Sequence, residues 1–216
     1  MPIDFKKTER ELYAPGTKPG IVDVPEMIYI AADGRGDPNT TKEYPAAVEA
    51  LYSLSYAIKM SYKSGNAPQG YYEHVVPPLE GFWTVDGDAF CGDGAIADKS
   101  KFAWTSCIRQ PAFVTQRVLE WARDAVAKKK PALDLSGVYL WTFTEGLCAQ
   151  IMHIGSYDAE PATIQTLTAF IQESGCKTDI CGIRRHHEIY LGDPRKTAPE
   201  KLKTVIRYPI VRSEGK

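Results

Sequence analysis

Apolar and polar residues alternate along several short stretches of the chain, which is the pattern of β-strands that bury one face. The clearest alternation lies at 101–109. A turn at Glu145-Gly146 predicts that the runs on either side of it form a hairpin. Residues 86–100 are rich in Gly and Asp and are predicted to form a loop. The predicted strands are 27–32, 72–76, 81–85, 101–109, 138–143, 148–154, 186–191 and 204–210.

Three other segments repeat apolar residues every three to four positions, which is typical of amphipathic helices. The first begins at a capping box formed by Thr40 and Glu43, in which each side chain satisfies a backbone group of the first turn. The second is a connector helix at about 112–130. The third begins near Asp158 or Glu160. Its predicted core face consists of Ile164, Leu167 and Ile171.

The two halves of the chain carry the same order of elements: a strand, an amphipathic helix and two further strands. Residues 1–20 are polar and rich in turn signals, and they are expected to follow the surface as a lead-in. Residues 21–216 then form one domain of two pseudo-repeats, about 21–110 and 136–211, joined by the connector helix at about 112–130. This repetition predicts an α+β fold of two β-α-β-β modules, whose two antiparallel sheets meet at a cleft.

A carboxylate stands in the middle of a short β-type run at Glu188. Alternation places Glu188 and Tyr190 on one face of that strand and the apolar Ile189 on the other. If apolar walls exclude water from Glu188, its pKa rises, and it can serve as a base or as a counter-charge for a cation. In the alternative interpretation Glu188 lies on a solvated face and pairs with Arg184 or Arg185.

A second acid, Glu80, is followed by Gly81, Phe82 and Trp83 and preceded by apolar residues, so it is the stronger candidate for desolvation. It could instead be a turn residue at the start of a strand. With two equivalent sheets facing each other, Glu80 and Glu188 are expected to approach one another in the cleft.

Aromatic residues are abundant enough to line a pocket, with 12 Tyr, 7 Phe and 4 Trp. Each of them is by itself more often a core residue than a ligand contact. Together with an acid, however, aromatic rings suit lipophilic cations, and a run that is apolar on both faces favours a cavity. The candidate ligand-binding residues are Phe82, Trp83, Trp104, Trp141, Met152 and Tyr190.

Charge and motifs exclude several classes of function. A net charge of −1 argues against nucleic-acid binding, which needs a basic surface. No signal-peptide core and no run of membrane-spanning length is present, so a cytoplasmic location without membrane attachment is expected. No phosphate- or dinucleotide-binding motif is found, and no cofactor is expected. The set Cys176, Cys181, His186 and His187 does not have the spacing of a zinc finger or ribbon, so no metal is expected.

The chain resembles the GyrI-like small-molecule-binding domains, and within them a stand-alone subgroup. The stretches that carry the resemblance are Pro-Pro-Leu-Glu-Gly-Phe-Trp at 77–83, Trp-Thr-Ser-Cys-Ile-Arg-Gln-Pro at 104–111, His-Ile-Gly-Ser-Tyr-Asp-Ala-Glu-Pro at 153–161, and most of 186–210. The resemblance implies a single domain of two fused SHS2-type modules around a central hydrophobic pocket, with an acidic pocket residue at Glu188. Relatives serve as drug-sensing parts of transcription regulators, but the lead-in at 1–20 is too short for a helix-turn-helix.

The stand-alone subgroup resembles enzymes that hydrolyse cyclopropane-bearing DNA alkylators, so a detoxifying hydrolase is expected. In that hypothesis Glu188, assisted by Glu80, orients or deprotonates water, and Tyr139 donates a hydrogen bond to the substrate carbonyl. The alternative is a non-catalytic protein that sequesters or senses drugs and uses the acids as counter-charge. In both cases the expected partners are lipophilic aromatic or cationic small molecules, and a homodimer is compatible with either.

Overall fold

The computed structural model describes residues 1–85 and 99–213, so most of the loop predicted at 86–100 lies outside the described residues. The strands of the described part are β1 Gly20–Arg35, β2 Leu79–Val85, β3 Phe102–Gln110, β4 Val138–Ile154, β5 Cys176–Thr178, β6 His186–Tyr190 and β7 Lys203–Arg212. The α-helices are α1 Phe5–Thr8, α2 Arg10–Tyr13, α3 Glu43–Lys59, α4 Gln116–Lys129 and α5 Glu160–Glu173.

Six of the strands form one closed antiparallel sheet, in the order β4-β1-β3-β2-β6-β7 and back to β4, while β5 adds to β7. The α+β class is therefore confirmed, but the prediction of two separate sheets is wrong. Closure depends on the length of β4, which pairs with β1 along 138–150 and with β7 along 148–154. The result is a barrel with an interior and an exterior face.

The predicted hairpin around Glu145 and Gly146 is instead a kink within β4. Gly146 has φ of 71°, a left-handed conformation that glycine adopts without strain. Before the kink Phe143 faces the barrel interior, and after it Cys148 does so, although the two differ by an odd number of residues. The predicted strand at 72–76 is also wrong, because the structure assigns no strand there and His74 makes a single bridge to Ile3.

The N-terminal residues belong to the core rather than to the surface. Leu12 is 3% exposed and Tyr13 is 1% exposed, and both pack into the interior cluster together with Phe5. The backbone of this segment is also held from inside the barrel, because Arg207 donates to the carbonyl oxygen of Leu12 at 2.7 Å. The expectation of a surface lead-in at 1–20 therefore missed a segment that completes the barrel core.

Two helical layers cover the exterior of the barrel. α3 and α4 pack against each other and over β1 and β3, whereas α5 packs over β4 and β7. The predicted core residues of α5, Ile164, Leu167 and Ile171, are all buried, which confirms that face. α3 begins at Glu43 without a side-chain cap, so the capping box predicted at Thr40 is wrong. Between α3 and α5 the outer faces of β2 and β6 are left uncovered by helix.

Candidate functional site

A groove lies over the outer faces of β2 and β6, between α3 and the start of α5. Its volume is about 2050 Å³ because it continues along α3 and α4 as far as Lys130, beyond the ~300–1,000 Å³ typical of ligand sites. The end nearest β6 combines aromatic walls with two acids and is called here the outer groove. It is lined by Tyr44, Trp83, Tyr157, Glu160, His186, Glu188 and Tyr190.

Glu188 is positioned in the outer groove by strand pairing. β2 and β6 are antiparallel, and Glu188 lies directly opposite Gly81. A Cβ atom at position 81 would lie 2.6 Å from Trp83 Nε1 and 3.0 Å from the Tyr190 hydroxyl, so only glycine leaves these side chains room. In that space Trp83 Nε1 donates a hydrogen bond to the Tyr190 hydroxyl at 2.9 Å.

The carboxylate of Glu188 is held by polar groups of its own strand. His186 Nε2 lies 2.7 Å from Glu188 Oε1, and the Glu188 side chain is only 14% exposed. An ionised carboxylate can only accept hydrogen bonds, so Nε2 is the protonated nitrogen of that ring. Burial and the negative charge of Glu188, together with a hydrogen bond between the two side chains, raise the pKa of Tyr190 well above its ordinary value.

The interpretation of Glu188 as a solvated surface acid is therefore wrong. The two arginines considered as its partners are engaged elsewhere: Arg184 pairs with Asp179, and Arg185 donates to the hydroxyl of Thr105.

Glu160, the first residue of α5, is the second acid of the outer groove. It is 6% exposed, and its Oε1 has no hydrogen-bond partner among the described residues. Burial, followed by the negative charges of Glu188 and Asp158, raises the pKa of Glu160 to about 10. At neutral pH Glu160 is therefore a neutral carboxylic acid beside the carboxylate of Glu188.

Aromatic rings form the walls of the outer groove. Tyr44 of α3 lies 5.9 Å from the ring of Trp83 and meets Trp104 edge-on at 5.0 Å. On the other side Tyr157 meets Tyr190 edge-on at 5.8 Å. These rings surround the acids with polarizable apolar surface, which suits flat aromatic ligands.

Of the residues predicted to contact a ligand, the structure brings Glu188, Trp83 and Tyr190 together in the outer groove. Trp104 is 2% exposed and lies beneath Tyr44. The predicted meeting of Glu80 with Glu188 is wrong. Because Glu80 pairs with Ile189 and not with Glu188, the two acids lie on opposite faces of the same sheet. The other predicted site residues face the barrel interior instead. They are Glu80, Phe82, Met152, Tyr139 and Trp141.

Glu80 belongs to a buried set of ionisable groups, called here the interior network. Its carboxylate accepts hydrogen bonds from the Tyr13 hydroxyl at 3.2 Å and from His187 Nε2 at 3.1 Å. The other ring nitrogen of His187 lies 3.0 Å from Glu145, which also accepts from Arg207 Nη1 at 3.1 Å. Glu80 is therefore held by two buried side chains, Tyr13 and His187.

Opposing effects set the ionisation of the interior network. Burial alone would raise the pKa of Glu145, but His187 and Arg207 outweigh it and lower that pKa to about 2. Burial alone would lower the pKa of His187, but Glu145 and then Glu80 raise it above its ordinary value. The network thus joins two glutamates, a histidine and an arginine through contacts within hydrogen-bond distance.

Tyr139 and Trp141 are also remote from Glu188. The Tyr139 hydroxyl donates to both carboxylate oxygens of Asp33 at 3.1 Å, and burial together with Asp33 raises its pKa to about 12. The ring of Trp141 stacks on Phe143 at 4.6 Å. The structure therefore does not bring the Tyr139 hydroxyl to a ligand at Glu188.

Sequence reasoning missed Tyr44, Tyr157 and Glu160, and it considered His186 only as a metal ligand. A signal for Tyr44 was present, because a second stripe runs along α3 at intervals of four residues, separate from the core stripe. That stripe consists of Tyr44, Val48, Tyr52 and Tyr56, and all four residues line the groove. Glu160 was explained by its place at a helix start, where acids are common, and this hid its second role.

Within residues 1–85 and 99–213, no group of three or more His, Cys, Asp or Glu side chains is arranged to hold a metal ion. His186 and His187 point to opposite faces of β6. Across the same residues, no helix has the length and apolar character required to cross a membrane.

Comparison with known proteins agrees with this architecture. The family model described as the GyrI-like small molecule binding domain matches residues 17–211. The chain belongs to the GyrI-like family. The resemblance seen in the sequence is thereby confirmed.

Solved structures of other GyrI-like proteins share the whole fold. A conserved protein from Listeria innocua is 47% identical, with a TM-score of 0.91 over 97% of this chain and 100% of that one. A hydrolase encoded by lin2189 from Listeria innocua is 45% identical, with a TM-score of 0.88 over 98% of this chain and 100% of that one.

A more distant structure, the C-terminal domain of EcmrR, is 10% identical, with a TM-score of 0.50 over 90% of this chain and 98% of that one, and it shares the fold alone. No curated protein matches the chain.

Proposed function

We propose that the outer groove binds lipophilic aromatic small molecules and that the protein hydrolyses strained, cyclopropane-bearing electrophiles. The observation that carries the proposal is Glu188, a carboxylate 2.7 Å from His186 Nε2 at the aromatic end of the groove. Membership of a small-molecule-binding family supports binding. The name hydrolase, given to a Listeria relative of 45% identity, supports hydrolysis.

In this proposal a planar ring packs against the aromatic walls formed by Trp83, Tyr44 and Tyr157. Water beside Glu188 attacks a cyclopropane carbon and loses one proton to the carboxylate. The strained carbon–carbon bond breaks, and its electron pair moves onto the conjugated carbonyl oxygen. The hydrogen bond from His186 fixes the orientation of the Glu188 carboxylate, as a general base requires.

A second candidate function is the storage or sensing of lipophilic cations without chemistry. The observation that favours it is the acid Glu188 inside aromatic walls, since rings and carboxylates both attract organic cations. In this case Glu188 acts only as a counter-charge.

One experiment separates the two functions. The protein is incubated with a synthetic cyclopropane-fused cyclohexadienone, and the ring-opened alcohol is followed by mass spectrometry for the wild type and for Glu188→Gln. We expect the substitution to lower turnover by roughly 10²–10⁴-fold while the neutral probe still binds. Glu173→Gln, an exposed substitution on α5, is the matched control and should behave as the wild type.

Binding of the probe without turnover by the wild type would replace the hydrolase with the binder. Turnover that survives in Glu188→Gln would show that another group activates the water.

A further inference from the structure

Glu160 stands out because no described residue accepts or donates a hydrogen bond at its buried Oε1. It is 6% exposed and has a partnerless Oε1, whereas the buried Glu80 and Glu145 have several hydrogen-bond partners each. A buried polar atom without a partner is rare in native proteins and calls for an explanation such as a ligand. Glu160 lines the outer groove, so a bound molecule can supply that partner.

The charged groups that act on Glu160 disfavour its anion, and Tyr157 of the groove wall also faces it. Asp158 lies two residues before it, and Glu188 faces it from β6; both are negative and act on it directly. Tyr208 of β7 and Tyr190 of β6 are close enough that Glu160 raises their pKa values. Lys99 pairs with Asp158 at 3.5 Å, and the side chains of the two residues are 47% and 89% exposed.

The helix N-terminus does not reverse this balance. The dipole of α5 favours an anion in its first turn, but only weakly. The combination of burial and two neighbouring carboxylates is stronger, because it moves the pKa of Glu160 from 4.5 to about 10. Glu160 therefore keeps its carboxyl proton at neutral pH.

We propose that Glu160 is a catalytic acid of the outer groove, which gives its carboxyl proton to the substrate oxygen that becomes negative while Glu188 takes a proton from water. This inference rests on the proposed hydrolase function and names the group that completes it. Water adds to the ring carbon, the carbon–carbon bond breaks, and its electron pair reaches the carbonyl oxygen, which Glu160 protonates to a phenol. Transfer of a proton from Glu188 to Glu160 restores the starting pair.

Neighbouring groups are less suited to this role. The Tyr190 hydroxyl accepts a hydrogen bond from Trp83 and has a pKa well above its ordinary value, so it is a weak acid. The Nε2 proton of His186 is directed at Glu188 and not into the groove. Of these three groups, Glu160 is the one that combines a proton with an oxygen that has no partner among the described residues.

The test uses the synthetic cyclopropane-fused cyclohexadienone and three variants. Glu160→Gln keeps the shape and a neutral hydrogen-bond donor but cannot transfer a proton. We expect kcat to fall by roughly 10²–10³-fold with KM changed little, because binding is retained. Glu160→Asp keeps the acid on a shorter side chain and should have an intermediate kcat. Glu173→Gln serves as the control on the same helix.

Two readouts identify the proton itself. The infrared band of a protonated carboxyl group should be present in the wild type at neutral pH and absent from Glu160→Gln. The alkaline decline of kcat that follows titration of Glu160 should disappear in Glu160→Gln. A purely structural role for Glu160 predicts neither change, and thermal unfolding of each variant confirms that it is folded.

The outcomes distinguish this inference from the function on which it rests. A wild type that does not open the ring overturns both. A wild type that opens it while Glu160→Gln keeps its kcat overturns only the role of Glu160. Loss of turnover in Glu160→Gln, with an intermediate rate in Glu160→Asp and loss of the carboxyl band, establishes the acid.

Discussion

The two faces of the β2–β6 pair meet acids in opposite environments, although His186 and His187, which contact those acids, are adjacent in sequence. On the interior face, His187 contacts both Glu80 and Glu145, and Arg207 pairs with Glu145. On the exterior face, Glu188 has His186 as its partner, and Glu160 has a carboxyl oxygen without one. The adjacent residues His186 and His187 thus contact different carboxylates on different sides of one strand.

This difference separates acids that stabilise the fold from acids that are available to a ligand. In the interior network each acid has hydrogen-bond contacts with two buried side chains, which hold it in place. In the outer groove Glu160 is buried close to the negative charges of Glu188 and Asp158, and it therefore retains its proton. Burial alone would suggest Glu80 as the functional acid. Its hydrogen bonds with Tyr13 and His187 show instead that it belongs to the interior network.

The largest effect that sharpens the comparison is expected from Arg207→Met, which removes a cation from the interior network. Glu145 would keep its burial but lose its contact at 3.1 Å. Breaking a buried ion pair in this way should lower the free energy of unfolding by about 3–5 kcal/mol. The measurement is equilibrium denaturation in urea at neutral pH.

The control for that substitution is Arg195→Met, whose exposed contact with Asp193 should leave the unfolding free energy nearly unchanged. The double variant Arg207→Met with Glu145→Leu removes both charges and should recover much of the loss. A single variant as stable as the wild type would contradict the structural role of the interior network.

A smaller effect is expected from Gly81→Ala in the outer groove. The added methyl group would lie 2.6 Å from Trp83 Nε1, so the indole must move and its hydrogen bond to Tyr190 is lost. Overpacking of this kind should destabilise the protein by about 1–3 kcal/mol and weaken probe binding. Denaturation and tryptophan fluorescence report the two effects.

Gly137→Ala is the matched control, because nothing lies within 4 Å of the position of its added carbon. Equal behaviour of the two glycine variants would show that the space at Gly81 is not required.

The smallest effect is a gain of stability in Glu160→Gln that depends on pH. The pKa of Glu160 is about 10 in the folded protein and 4.5 as the reference value, so the unfolded chain releases this proton first as the pH rises. The folded wild type therefore loses relative stability between those two values. Since each pH unit is worth at most ~1.4 kcal/mol, the variant should gain roughly 1–2 kcal/mol between pH 5 and pH 7.

Thermal unfolding of Glu160→Gln and the wild type, followed across this pH range, measures the gain. A constant difference between the two proteins would mean that Glu160 is ionised when folded.

Much of the local structure could be predicted from the chain. The alternation at 101–109 is β3, and the helical repeats with Ile164, Leu167 and Ile171 are the buried face of α5. The errors in strand assignment share one cause: the sequence of a strand does not show which other strand it pairs with. The turn expected at Glu145-Gly146 became a kink, since a left-handed glycine suits both, and only the continued pairing with β1 keeps β4 as one strand.

For the candidate site, the sequence predicted which residues of β6 share a face, but not where the residues of β2 lie relative to them. Glu188 and Tyr190 share a face as alternation requires, and both line the groove. Glu80 was expected beside them, but its position relative to β6 depends on the register of two strands that are about a hundred residues apart in sequence. Tyr13 could not be placed at all, because polar neighbours concealed a side chain that reaches the interior network.

The sequence by itself determined many of the strands and helices, which residues of a strand share a face, and that the chain is a GyrI-like protein. A period of two shows that Glu188 and Ile189 point apart, but it does not show which of the two faces becomes the inside. That choice was made by tertiary structure, when β4 closed the barrel and enclosed Ile189. The same closure left Glu188 outside with Glu160, whose retained proton arises from neighbours that only the fold brings close.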